Sequence, residues 1–351
     1  MDYHATGSDY LHTAFVTRYN DPVVRQNVRL QLQGIADRGA TVISTRFWCV
    51  IAPSGESDLG ETWRGHFPMS DQEAANLRTY AQDIAAVKGA GGNRLRLDFC
   101  LLWLGRADYQ TGTPATGLGY FHDTTGADFT SRVELTTDKV LAAVGDVVRP
   151  DGKPVVDTIY LDGEVMIGAK ANQDWFMTTH YPRFVSKVAA AGFRPSVYFI
   201  VSEPQDNILR VPYNDANFPI LNNHRSMYWI YRTLKFMADN KLFIPARIDF
   251  SCYVQSTGAP YSQILSRILN DADATLPSLG AAKAYGAAES YYFLDGGPRR
   301  QLGQAFAMEA LTNPRLQRVC FWTTPFNDGT PGVTAAYPFA FEDYLPPQII
   351  K

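Results

Sequence analysis

The chain's 351 residues are 46% hydrophobic and 19% charged, which suits one large domain or two small ones with a sizeable core. A formal net charge of -3 without a long basic run argues against nucleic acid or an anionic membrane surface as partner. No stretch is apolar for long enough to span a bilayer, so no membrane insertion is expected.

From the N-terminus, runs of strand type alternate with helix-type patterns. The first run is Thr13-Ala14-Phe15-Val16-Thr17. Asp21 is placed to cap a helix, with Pro22 in its first turn, Val24, Val28, Leu32 and Ile35 at helical spacing, and Gly39 as its stop. The second strand is Thr41 to Trp48, β-branched residues leading into aromatics. A loop rich in Pro, Gly and Ser covers 53–69. Ser70 and Glu73 then form a capping box before Leu77, Tyr80, Ile84 and Val87. Leu95 to Leu101 is the third strand. The polar, glycine-rich stretch 105–131 reads as a second long loop, of a length that usually serves function. A third helix follows Thr137-Asp138 with Val140, Leu141 and Val144.

The fourth strand, Thr158 to Asp162, runs into Gly163-Glu164, and its helix carries Tyr181, Phe184, Val185 and Val188 up to Gly192. Ser196 to Val201 is the fifth strand, ending at Glu203-Pro204, with Met227, Ile230, Tyr231 and Leu234 in its helix. Arg247 to Tyr253 is the sixth, followed by Ile264, Leu265, Ile268 and Leu269 at helical spacing. The seventh lies within 282–292 and contains Glu289; its helix holds Leu302, Phe306 and Leu311. Arg318 to Trp322 is the eighth. Eight strand signals alternating with seven helix signals predict an α/β chain with a parallel sheet closed as a (β/α)8 TIM barrel, one domain over 1–351. An open doubly wound sheet is the competing architecture, and no G-x-G-x-x-G follows any strand to support it.

In such a barrel the C-terminal strand ends face the active site. Position alone then selects Arg46 and Trp48, Asp98 and Trp103, Asp162 and Glu164, Glu203, Tyr253 and Gln255, Glu289 and Tyr291, and Trp322. The set is rich in carboxylates and aromatics and holds no histidine. No H-x-H, H-E-x-x-H or G-x-S-x-G pattern occurs, so neither a metal nor another cofactor is expected. Two carboxylates across a barrel mouth suit cleavage of a glycosidic bond, one protonating the leaving oxygen and the other attacking the anomeric carbon or activating water. A lone glutamate at a strand end is commonly a salt-bridge partner or cap. Glu164 and Glu289 stand out because they end strands four and seven.

These positions resemble the large clan of retaining (β/α)8 glycosidases, whose acid/base ends strand four and whose nucleophile ends strand seven. The resemblance rests on Glu164 in Leu161-Asp162-Gly163-Glu164 and Glu289 in Ala287-Ala288-Glu289-Ser290-Tyr291. It also rests on Arg46, Tyr253 and Trp322, at the places of the arginine and aromatic beside the nucleophile and of the sugar platform. It implies glycoside hydrolysis on a polysaccharide or oligosaccharide, with Glu164 and Glu289 catalytic and the other strand-end residues binding carbohydrate. Gly163 departs from the clan's Asn before the acid/base, which contacts the sugar 2-hydroxyl. Asp157, Asp162 and Glu164 also resemble the strand-four signature of the chitinase-like family, where the substrate's N-acetyl group is the nucleophile. Tyr160 and Thr158 depart from that signature. A non-catalytic carbohydrate-binding barrel is the third alternative.

Cys49, Cys100, Cys252 and Cys320 all lie in strand-like runs without C-x-x-C spacing, as buried free thiols do. Met1-Asp2-Tyr3-His4 carries neither a basic n-region nor an apolar h-region. The chain is expected to be soluble. Its compartment, secreted or periplasmic included, and its oligomeric state are left open.

Overall fold

A computed structural model describes residues 2–6, 17–37, 39–51, 66, 68–105, 127–162, 176–203, 228–245, 247–254, 269–270, 272–274, 284–292 and 313–322. Eight parallel strands close into a barrel in sequence order: β1 (Asp2–Thr6), β2 (Val42–Ile51), β3 (Arg96–Gly105), β4 (Val156–Asp162), β5 (Arg194–Glu203), β6 (Arg247–Val254), β7 (Ala284–Tyr292) and β8 (Leu316–Trp322). The expected (β/α)8 barrel is therefore the observed fold. Five longer helices are described around it: α1 (Pro22–Asp37), α2 (Asp71–Ala86), α3 (Ala127–Val144), α4 (Tyr181–Ala190) and α5 (Tyr228–Asp239). Most of the sequence expected for the helices after strands six and seven lies outside the described residues. Among the described residues no helix is long and apolar enough to cross a membrane.

Two boundaries correct the sequence reading. The first barrel strand is Asp2–Thr6; of the expected run Thr13 to Thr17, Thr17 is helical and 13–16 lie outside the described residues. Asp2–Thr6 pairs with β8 from Asp2↔Arg318 to Thr6↔Trp322, and with β2 from His4↔Val42 to Thr6↔Ser44. Backbone pairing on both sides outweighs weak intrinsic strand preference. The third helix begins at Ala127, so the stretch expected as loop to 131 ends earlier. Ala127-Asp128-Phe129 are compatible with a first helical turn whose cost is offset by packing of the later turns.

Strand alternation divides the barrel into two rows. Ile43, Leu97, Phe99, Leu101, Ile159, Leu161, Val197, Ile248 and Phe250 are all buried and form the apolar row under the helices. Thr45 belongs to this outward row, since its hydroxyl lies 3.0 Å from that of Tyr80 on α2. The alternate row, facing the barrel interior, includes Ser44, Asp98, Cys100, Tyr160, Ser196 and Asp249 and is mostly polar. Parallel barrel strands are usually apolar on both faces, so a polar interior needs its own hydrogen-bonding partners.

The helix layer is fastened by polar contacts. Ser70 and Glu73 make the expected capping box at the start of α2, and the buried Glu73 carboxylate also accepts from the backbone and ring of His66. The turn before α2 is tied to α3, because Met69 N donates to Thr136 and Lys139 donates to the Met69 carbonyl. Asp21 accepts from Val23 N and Val24 N at the head of α1, and its carboxyl is held below the ordinary range chiefly by the first of these bonds. Gly39 and Gly192 end their helices at φ 95 and 83°, the left-handed region that suits glycine. A single π-helical turn, Phe176–His180, leads into α4 and leaves His180 buried.

Ser70→Ala removes one half of the box and is expected to lower stability by about 1 kcal/mol, seen as a lower thermal unfolding midpoint. Burial depresses the His180 pKa from 6.5 to about 3, so the folded state binds this proton less readily than the unfolded chain. Its contribution is full above pH 6.5 and declines as pH falls toward about 3. His180→Gln is expected to flatten that part of the midpoint-against-pH curve.

Candidate active site at the strand ends

The carboxyl ends of the strands are where a barrel gathers its reactive groups. Most candidate positions are on the inward row, and the pairings that put them there are specific. Trp48 pairs with Leu102, Asp162 with Tyr198, Tyr253 with Tyr291, and Trp322 with Thr6. Arg46 pairs with Cys100, an inward-row residue in mid-strand. These assignments concern backbone position only. Glu164, Gly163 and Gln255 lie outside the described residues, Glu164 two positions past the end of β4.

Glu289 reaches the inward row through an irregularity. Strict alternation from Gly286 would put Ala288 and Ser290 there, leaving Glu289 outward. Across β6 the pairing steps from Phe250↔Ala287 to Ser251↔Glu289, so β7 holds one extra residue. Across β8 the same strand steps from Ala287↔Val319 to Ser290↔Phe321, the same excess seen from the other edge. The bulge switches the alternation, and Glu289 and Tyr291 take the row of Ser251 and Tyr253. Bulges of this kind re-aim strand residues and are frequent beside active sites.

The structure does not bring every candidate together. Asp98 is the third residue of β3 and only 1% exposed, so it lies in the lower barrel and not at the mouth. Trp103 pairs with Cys49 and falls on the outward row with Phe99 and Leu101. Glu203 pairs with Val254 and is likewise on the outward row, at the last position of β5. Position at a strand end does not determine the row, because each strand alternates between the two faces.

Below the mouth is a polar layer that the sequence reading did not single out. Arg247, the first residue of β6, donates from Nε to both Asp249 oxygens at 3.0 and 3.1 Å. Its Nη2 donates to the Tyr160 hydroxyl of β4 at 2.7 Å. A Cβ on Gly286 of β7 would overlap the Asp249 carboxylate. Burial pulls the Arg247 pKa down, but Asp249, Tyr160 and Asp98 outweigh it and hold the guanidinium charged above its ordinary value. The available signal was Arg247-Ile248-Asp249-Phe250-Ser251, a polar/apolar alternation in a strand buried on both faces.

Among the described residues the helix layer also has a groove of about 800 Å³ between α1 and α2, on the outer wall. The polar groups there are mutually engaged: Asp83 accepts from Tyr19 and, through both oxygens, from Arg25. Burial first, and Asp83 second, push the Tyr19 pKa upward. Among the described residues no group of three His, Cys, Asp or Glu side chains is arranged to hold a metal ion.

No protein-family model matches the chain, and no curated protein matches it in sequence. Solved structures do resemble it. A GH5_18 variant from Bifidobacterium longum subsp. longum, in complex with Manb1-4GlcNAc, aligns at TM-score 0.51 and 12% identity over 98% of this chain and 72% of that one. A glycoside hydrolase family 5 mannosidase from Rhizomucor miehei aligns at TM-score 0.50 and 12% identity, over 98% and 90%. The chain spans 66% of the length of an endo-beta1,6-glucanase, covering 92% of itself at TM-score 0.49 and 11% identity. At these identities the likeness shows the fold alone, a (β/α)8 barrel.

Gly286→Ala places a methyl group against the Asp249 carboxylate and is expected to cost about 1–3 kcal/mol through overpacking. A lowered denaturation midpoint would show it; an unchanged midpoint would contradict the close approach.

Proposed function

We propose that the chain is a glycoside hydrolase acting on a polysaccharide or oligosaccharide with retention of configuration, as one catalytic domain over 1–351. The observation that carries this reading is the β7 bulge, which puts Glu289 on the inward row opposite Ser251 near the strand's carboxyl end. Its counterpart is Glu164, two positions beyond Asp162 at the end of β4. The barrel shared with glycoside hydrolases supports the same reaction class.

In this mechanism Glu164 protonates the leaving oxygen while Glu289 attacks the anomeric carbon. The glycosidic bond breaks, its electrons stay with the oxygen, and a glycosyl ester forms on Glu289. Water, deprotonated by Glu164, then attacks the ester; the sugar is released and both carboxyl groups return to their starting protonation. The first step needs Glu164 protonated and Glu289 ionised, so activity is expected to be bell-shaped in pH. Arg46, Trp48, Asp162, Tyr253, Tyr291 and Trp322 form the sugar-binding surface. Asp98 lies low in β3 and the positions of Trp103 and Glu203 fall on the outward row, so this reading gives them no direct sugar contact.

A second reading keeps Glu164 as acid and gives Asp162 the task of orienting a substrate N-acetyl group, which serves as nucleophile. The place of Asp162 on the inward row at the end of β4 is what favours it.

A panel of β-linked glycans, with N-acetylated chains included, tests both. Glu164→Gln is expected to lower kcat about 10²–10⁴-fold. Glu289→Gln is expected to abolish formation of the glycosyl ester, which a 2-fluoro glycoside would otherwise trap on the wild type. Full activity in both variants would sink the two-glutamate mechanism. An inert Glu289→Gln change, together with loss in Asp162→Asn, would select the substrate-assisted reading. Glycan binding without cleavage of any panel member would make the barrel a binding module.

A further inference from the structure

The lower barrel holds a charged group that the proposed reaction leaves unused. The Arg247 side chain is only 16% exposed, and it links β6 to β4 directly and to β7 through Asp249. It binds Asp249 on its own strand and Tyr160 on β4, a contact that passes across the interior beyond β5. Asp249 in turn occupies the space left by the missing Cβ of Gly286 on β7. Strands β4 and β7 are those that lead to the two candidate glutamates. Tyr160 is four residues before Glu164, and Gly286 is three before Glu289.

We propose that Arg247 is a positioning residue for the glutamate pair: through Tyr160 and Asp249 it fixes the spacing of β4 and β7 beneath the mouth, and its charge offsets the buried Asp249 carboxylate there. This rests on the glycosidase reading. The planar guanidinium supplies donors in two directions at once, to a carboxylate and to a phenol, whereas an ammonium would keep the charge but not that geometry. In-barrel placement makes the charge matter, because a buried cation is screened far less than a surface one. The groups around it are Asp98 on β3, Tyr160 on β4 and Asp249 on β6. The inward row adds the positions of Asp2 and His4 on β1, Arg46 on β2, Asp162 on β4, Tyr198 on β5, Glu289 on β7 and Arg318 on β8.

The test uses Arg247→Lys, Arg247→Met and Tyr160→Phe in the full chain, on a glycan that the wild type cleaves. In Arg247→Met, kcat is expected to fall about 10²-fold, the effect of displacing a reacting group by roughly 1 Å, with KM within about twofold. Both limbs of its pH profile are expected to move to higher pH, because carboxyl groups that lose a neighbouring cation hold their protons more tightly. Arg247→Lys keeps the limbs in place but loses kcat. Tyr160→Phe keeps the charge and shows a smaller kcat loss with unshifted limbs.

A folded Arg247→Met protein with wild-type kcat and unshifted limbs would overturn the proposal and leave Arg247 a residue of stability alone. Should that variant not fold, Tyr160→Phe decides, and an unchanged kcat there overturns it equally. A readout without turnover separates this from the reaction class. Glutamate labelled with 13C at the carboxyl is titrated by NMR, with Glu164→Gln and Glu289→Gln for assignment. Raised pKa values in Arg247→Met support the positioning role. Unmoved values overturn it, while cleavage of the glycan panel scores the glycosidase reading by itself.

Discussion

Closure of the sheet is the constraint on which everything else in this molecule depends. Once β1 pairs with both β2 and β8, no strand has a free edge and no register can slide without disturbing the others. Each strand residue is then committed either to the helix layer or to the interior. Apolar residues such as Phe99, Ile159 and Phe250 take the first place, and Asp98, Tyr160 and Asp249 the second. The candidate chemistry follows from that division, because inward positions near the carboxyl ends, with the loops that follow them, converge on one face.

Registers in this barrel are not uniform, and the exceptions have consequences. Between β3 and β4 the pairing shifts between Leu97 and Phe99, and between β7 and β8 it shifts twice. The shift within β7 is the one that bears on function. An extra residue between Ala287 and Glu289 exchanges the inward and outward assignments for the remainder of the strand. Position 289, which regular alternation would set on the outward row, thereby falls on the inward row.

A polar interior is costly unless each group is satisfied, and here one guanidinium does much of that. Arg247 satisfies Asp249 and Tyr160 together, and Asp98 adds to the field that keeps it charged. Replacing such a buried ionic layer by well-packed apolar side chains is often neutral or stabilising in proteins, so its use here is better sought in geometry than in stability. The outer layer works differently. Its ties, such as Glu73 to His66 and Lys139 to the Met69 carbonyl, fix the segment that re-enters α2 after the β2 loop.

Seven of the eight strands and the barrel itself were legible in the sequence, because β-branched and aromatic runs alternating with helical faces are local properties of the chain. Sequence order alone likewise placed Glu164 after strand four and Glu289 on strand seven. The first strand was not legible: Asp2-Tyr3-His4-Ala5-Thr6 is short and polar, and only its pairing with β2 and β8 makes it a strand. Row and depth were not legible either. They separate Asp98, Trp103 and Glu203 from the other candidates, carry position 289 to the inward row, and unite Arg247, Tyr160 and Gly286 from strands four, six and seven. Periodicity along a chain is short-range, whereas register and bulges arise from hydrogen bonds between strands, so the tertiary structure alone could decide which residues share the interior.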